Sequence, residues 1–385
     1  MSKKNKTKQN KNSTSHDQEK IIPRAFFRKI GVIPFADSSD ARFYREMRKR
    51  TGKELADQLY DLVCNKNDNR SAMYLAFSHL ELAKFWYANN IIPSCKIAEE
   101  LATISIPANA NILDIGGGPG AIAFWMAHIW NDCHVTVADK FPEIGTKWAM
   151  EIGMDRVTFI NSLLPELRNL PDETFDVIVL SRVLRHVDDI KMPKLIHNNN
   201  VVDYLCSEEG IDFSLRFGSL IKNIKRVLTP NGHVVIVDEW NELNVFVTCK
   251  IMEQYGLFID GSFFKYERVS NEFSVIALSP SIKTPDDSLD LCMGMSAALS
   301  FPQVPIPLMG TLAESVRNLF GNTTPIMTFE NETFEGKFKW KNEILEKNGI
   351  ALFYITNNYC DRKAFLYPAV AIPKLLKTLQ CNTEQ

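Results

Sequence analysis

The chain of 385 residues is 45% hydrophobic and 23% charged, enough for a sizeable buried core in one enlarged domain or in two. A formal net charge of -2 gives no overall attraction to nucleic acid or to an anionic membrane, so small or neutral partners fit better. Eight cysteines lie scattered with no Cys-x-x-Cys pair and no zinc-finger spacing, and no run approaches the ~18 apolar residues of a membrane span. Reduced thiols, no metal site and a cytoplasmic location are the expectation, since the first residues are polar where a secretory leader would be apolar.

Residues 1–20 repeat Lys and Asn without apolar periodicity and could not offset the entropy of ordering themselves, so they read as a disordered basic tail. Residues 21–105 read as a helical cap. Phe43, Met47, Leu55, Leu59 and Leu62 recur near helical spacing with a break at Gly52, and Met73, Leu75, Leu80, Leu82, Phe85 and Trp86 continue the pattern. Tyr44, Tyr74, Trp86 and Tyr87 are candidates to line an entrance, against the plainer reading that helical aromatics pack.

Residues 106–280 alternate short apolar strands with helical stretches: NILDIG, HVTVAD, VTFIN, FDVIVLS and HVVIVDE. That rhythm predicts a parallel sheet covered on both faces, and two strand-like runs within SFFKYERVSNEFSVIALS predict an antiparallel hairpin at one edge. The first strand runs into Gly116, Gly117, Gly118, Pro119 and Gly120. Glycines allow a sharp turn and close ligand approach, and Pro119 suits the first turn of a helix whose free amides favour polar or anionic groups.

The stretch 190–214 is long for a strand-to-helix step and reads as a lid or a surface excursion. Residues 281–385 read as a C-terminal extension or small domain: a proline-broken loop, then a hairpin and a helix over 325–349, then a strand in GIALFYITNN. A cover over the active site and an oligomerisation surface, such as a homodimer contact, both remain open for it.

Two ligands compete for the glycine loop. Gly116, Gly118 and Ala121 satisfy G-x-G-x-x-A with Asp139 ending the next strand, which fits NAD and an oxidoreductase. Asp114, Gly116, Gly118 and Gly120 also spell D-x-G-x-G-x-G, which resembles motif I of the class I S-adenosylmethionine-dependent methyltransferases. FDVIVLSRVLRHVDD is similar to that family's fourth strand and active-site loop, IKRVLTPNGHVVIVDEW to its fifth-strand unit, and the closing antiparallel pair to its last two strands. The resemblance spans about residues 107–279.

It implies a Rossmann-like α/β fold with a seven-stranded sheet whose last strand is antiparallel, and S-adenosylmethionine as cofactor. The loop, Gly117 included, would pass under the methionine part, with Asp114 bonding its amino end or ordering the loop. Asp139 would hold the ribose, against a helix-capping alternative, and Lys140, Asn161, Ser162 and Ser181 complete the implied cofactor contacts. Where the family often carries an Asp for the adenine amine, this chain has Asn161 and Ser162. His186 is the candidate general base, with a packing role as the alternative, and Arg182 is a candidate to hold an acidic substrate; Arg185 replaces a second histidine common in related sequences.

Neither an Asn/Asp-Pro-Pro-Tyr signature nor a Pro-Cys pair follows the fourth strand, so a small organic acceptor is expected rather than a polynucleotide. A non-catalytic S-adenosylmethionine-binding module is the alternative function.

Overall fold

The computed structural model describes residues 22–34, 40–66, 68–162, 164–184, 207–238, 242–260, 274–280, 307–333, 337–347 and 349–383. The basic tail, Arg185, His186 and most of the long insert lie outside these residues.

Six helices come first: α1 (Pro23–Lys29), α2 (Asp40–Thr51), α3 (Lys53–Tyr60), α4 (Asn69–Phe77), α5 (Leu80–Asn89) and α6 (Ile91–Leu101). Gly52 separates α2 from α3 at φ 87, a left-handed backbone that only glycine adopts cheaply, so the expected break falls where predicted. Asp68 caps α4, its side chain accepting from the Ser71 amide. Within this region Phe43, Met47, Leu59, Leu82 and Phe85 bury one another.

The α/β part follows as β1 (Asn111–Ile115), α7 (Ala121–Ile129), β2 (His134–Asp139), α8 (Pro142–Ile152), β3 (Val157–Asn161), β4 (Phe175–Ser181), α9 (Glu208–Val227), β5 (Leu228–Asp238), α10 (Glu242–Gln254), β6 (Phe258–Ile259) and β7 (Ser274–Ser279). Its strands form one sheet in the order β3-β2-β1-β4-β5-β7-β6, with β1 to β5 parallel and β7 antiparallel to both β5 and β6.

Alternation along the strands sends Ile112, Val135, Val137, Val177, Val179 and Val235 to the face covered by α1, α6, α7 and α8. Leu113, Ile115, Ile178, Leu180, Val234 and Ile236 go to the face covered by α9 and α10. Both faces are therefore buried, which is why the strands read as nearly continuous apolar runs. The second run of the expected edge hairpin is β7, which pairs with β5 and with the short β6; the first run, after Gly261, lies outside the described residues.

A second, antiparallel sheet is built from β8 (Leu308–Met309), β9 (Met327–Thr333), β10 (Phe338–Lys347), β11 (Ile350–Asn357) and β12 (Arg362–Pro368) in the order β8-β12-β11-β10-β9. Helix α11 (Gly310–Leu319) packs Ala313 and Val316 into the same apolar cluster as Leu345, Leu352 and Leu366, and α12 (Ile372–Thr383) follows. The helix expected at the end of 325–349 does not form: β10 continues through Lys347. Asn342, Glu343 and Ile344 pair with β9 on one side and β11 on the other, and those ladders outweigh the helix propensity of Glu, Leu and Lys.

Candidate functional site

The cleft lies at the carboxyl ends of β1, β2 and β4, the edge of a parallel sheet where the βα loops gather. After Ile115 the chain turns through Gly116 (φ 71), Gly118 (φ 57) and Gly120 (φ 93), all left-handed, before α7 starts at Ala121. Pro119 thus precedes the helix cap, Gly120, instead of occupying the first turn as predicted. The loop is tied down by Gly116 N to Ala138 O at 2.9 Å and Gly120 N to Gly117 O at 3.1 Å.

Close packing demands glycine as much as the dihedrals do. A Cβ on Gly116 would collide with the Val183 side chain, one on Gly117 with the Asp114 carboxylate, and one on Gly118 would sit 2.8 Å from the Phe77 ring. Only glycine lets the loop pack this tightly against Val183, Asp114 and Phe77.

Two carboxylates flank the loop. Asp114 is fully buried, and among the described residues neither of its oxygens has a hydrogen-bond partner. Burial, reinforced by the nearby Asp139 charge, pushes its carboxyl up to about 7. Asp139 accepts from the Gly118 amide at 2.9 Å with one oxygen, and from the Lys140 and Phe141 amides at 2.7 and 3.3 Å with the other. Its pKa is raised by burial, with the three amides pulling the other way. A carboxylate has about four acceptor positions, so Asp139 retains capacity for ribose hydroxyls while it fixes the loop tip.

The remaining implied contacts fare differently. Asn161 is exposed at the end of β3 and sits opposite Asp139 in register. The Ser162 hydroxyl is buried and donates to the Arg168 carbonyl at 2.9 Å, so its polar capacity is already engaged in the loop after β3. The Lys140 ammonium lies over the Tyr74 ring, 2.8 Å from its centroid, and thus turns to the helical cap. Ser181 ends β4 half-buried. Arg182, next in the chain, adopts φ 54, a strained backbone for a side chain of this size, and its amide donates to Val237 O at 3.0 Å. His186 lies outside the described residues, two positions beyond Leu184.

Aromatic groups stand beside the loop: Tyr74 and Tyr87 are among the residues offered above as entrance candidates, whereas Phe77 and Phe141 were passed over. Phe77 stacks on Tyr87 at 5.6 Å and meets Phe141 edge-on at 6.1 Å, while Tyr74 lies 6.1 Å from Phe141. Their signal was an aromatic-rich helical stretch, which in isolation does not separate a cleft wall from a core.

Residues 89–271 match the family model described as a methyltransferase domain. This part of the chain carries a methyltransferase domain. The methyltransferase is 25% identical to the release factor glutamine methyltransferase of Salmonella typhimurium over 198 residues, which is 48% of this chain and 68% of that protein. Among solved structures, mitomycin 7-O-methyltransferase aligns with a TM-score of 0.40 at 13% identity, covering 65% of this chain and 74% of that one. Human N-acetylserotonin methyltransferase, in complex with S-adenosylmethionine, aligns at 0.36 and 16% identity, covering 62% and 69%.

S-adenosylmethionine is the cofactor of this methyltransferase family, and the cleft residues fit it. The three left-handed glycines turn the backbone sharply at the carboxyl end of β1, where such a loop carries a ligand, and Asp114 offers a buried acceptor without a partner among the described residues. Among these residues no His/Cys/Asp/Glu group could hold a metal ion, and no helix is long and apolar enough to cross a membrane.

Proposed function

We propose that this methyltransferase moves the methyl group of S-adenosylmethionine to a small organic acceptor by in-line transfer. The observation that carries the reading is the loop of Gly116, Gly118 and Gly120 held between the buried Asp114 and Asp139 carboxylates at the carboxyl ends of β1 and β2. When bound, the sulfonium supplies an already electrophilic methyl group.

The chain's own contribution is then mainly positional. The loop backbone, held in shape by its own hydrogen bonds, carries the methionine part, Asp139 orients the ribose, Asp114 receives the amino group, and the aromatic wall of Phe77, Tyr87 and Phe141 excludes water. Ser181, Arg182, Val183 and Leu184 stand where amino-group methylases of nucleic acid and protein carry Asn/Asp-Pro-Pro-Tyr, which supports a different acceptor. His186 is assigned to take a proton if the nucleophile carries one, and Arg182 to hold an acidic group of the acceptor. The four segments of the chain then act as tail, cap, cofactor-binding core and C-terminal extension, with the protein in the cytoplasm.

Calorimetry with S-adenosylmethionine and NAD tests the cofactor, and transfer of a labelled methyl group into the metabolites of a cell extract tests turnover. Label appearing with the wild type and not with Gly118→Arg supports the reading. Binding of NAD in preference, or cofactor binding with no labelled small molecule, overturns it; the second outcome leaves a binding module.

A further inference from the structure

Tyr87 reaches the cofactor loop from outside the matched methyltransferase region, which begins at residue 89. It sits on α5 of the helical cap, with its ring stacked on Phe77 and tilted against Trp148 at 5.9 Å. Its hydroxyl donates to the Gly117 carbonyl at 3.4 Å. It also lies 3.3 Å from where a Cβ of Gly118 would stand. One hydroxyl therefore holds the loop at Gly117 and stands against Gly118.

Its surroundings keep it a donor. Burial raises the Tyr87 pKa, and the Asp114 and Asp139 carboxylates raise it further, so the phenol stays protonated at any working pH. Gly117 accepts a second hydrogen bond from Gly120, so the hydroxyl completes the carbonyl's two lone pairs. The loop has three left-handed glycines, which cost more conformational entropy to order than any other residue, and contacts that hold it reduce that cost at binding.

We infer that Tyr87 is a positioning residue of the cofactor site: its hydroxyl clasps the glycine loop in the shape that receives S-adenosylmethionine, which makes cofactor affinity depend on the helical cap. This rests on the reading of the loop as the cofactor cradle.

The test uses the full-length chain and S-adenosylmethionine itself. Tyr87→Phe keeps the ring stacking and loses the hydroxyl. It should raise the calorimetric Kd about tenfold, the scale of one hydrogen bond, and speed hydrogen exchange of the amides at 116–121 without changing that of β1 and β2. Trp148→Phe disturbs the same aromatic packing but leaves the hydroxyl; it should lower the melting temperature and leave Kd within about twofold. A Kd for Tyr87→Phe within that margin of wild type overturns the inference. So does an equal rise in Trp148→Phe, or exchange that quickens uniformly through the sheet. Wild type that binds no S-adenosylmethionine would instead sink the cradle reading itself.

Discussion

Asp114→Asn should stabilise the cofactor-free protein at alkaline pH and not at acid pH. The Asp114 carboxyl is fully buried with no hydrogen-bond partner among the described residues, and its pKa rises from 3.8 to about 7, chiefly through burial and then through Asp139. Below the unfolded value both states hold the proton and the group contributes nothing to stability. Between about 4 and 7 the unfolded chain releases the proton while the native one keeps it, so stability falls as pH rises; above 7 the loss is complete. A rise of about three pKa units corresponds to about 4 kcal/mol.

The asparagine amide escapes that penalty but carries a desolvation cost of its own, about 1–3 kcal/mol without partners. The net expectation is a gain of about 1–3 kcal/mol at pH 8 that becomes a small loss near pH 5. Urea denaturation of wild type and variant at both pH values measures it. On the proposed role of Asp114, S-adenosylmethionine should also bind at least about tenfold more weakly, because the charge-assisted bond to its amino group would be lost. A stability difference between the two proteins that is the same at pH 5 and pH 8 would refute the burial argument.

Two glycines separate strain from contact. Gly118→Ala meets both φ 57 and the Phe77 ring at 2.8 Å, and should cost about 2–4 kcal/mol in denaturation and abolish cofactor binding in calorimetry. Gly153→Ala meets φ 67 with nothing within 4 Å, and should cost only about 1–2 kcal/mol with cofactor affinity retained. Lys84 is buried at the cap's contact with the core and pairs with Glu81 at 3.0 Å and Glu151 at 2.6 Å, both half exposed. Lys84→Met should lower stability by about 1–2 kcal/mol, as its carboxylate partners turn to water and the methionine replaces most of the buried stem; thermal melts at low and high salt should show the loss shrinking with salt.

The parallel sheet was legible because burial on both faces leaves a signature that survives in a single sequence: Val177, Ile178, Val179 and Leu180 are all apolar whichever way they point. The glycine loop was legible for a different reason, since left-handed backbone at Gly116, Gly118 and Gly120 restricts the residue type itself. β10 was misread in part because Glu343, Leu345, Glu346 and Lys347 carry helix propensity, and only pairing with β9 and β11 decides against it. The engagement of Ser162 by Arg168 and of Lys140 by Tyr74 was hidden for the same reason: each depends on a loop or helix that the residue's own neighbours do not specify.

That distinction explains why the aromatic wall was only half legible, Tyr87 standing as an entrance candidate with packing as its alternative and Phe77 passed over. A residue chosen for its backbone conformation announces itself locally, whereas Phe77 and Tyr87 matter through what α8 and the loop after β1 bring to them from more than 25 residues away. The cleft also has to be held against its own costs: a buried carboxylate that is ionised above about pH 7, and a loop with three left-handed residues. What offsets them is the docking of the cap. Trp148 donates to Ile30 O at 2.9 Å, Trp125 donates to Ala98 O at 2.8 Å, and Lys84 reaches Glu151 across the same seam. The cap is therefore part of the energetics of the cleft: loss of a seam contact such as that of Trp148 with Ile30 should appear as lower stability, whereas loss of the Tyr87 hydroxyl at Gly117 should appear as weaker cofactor binding.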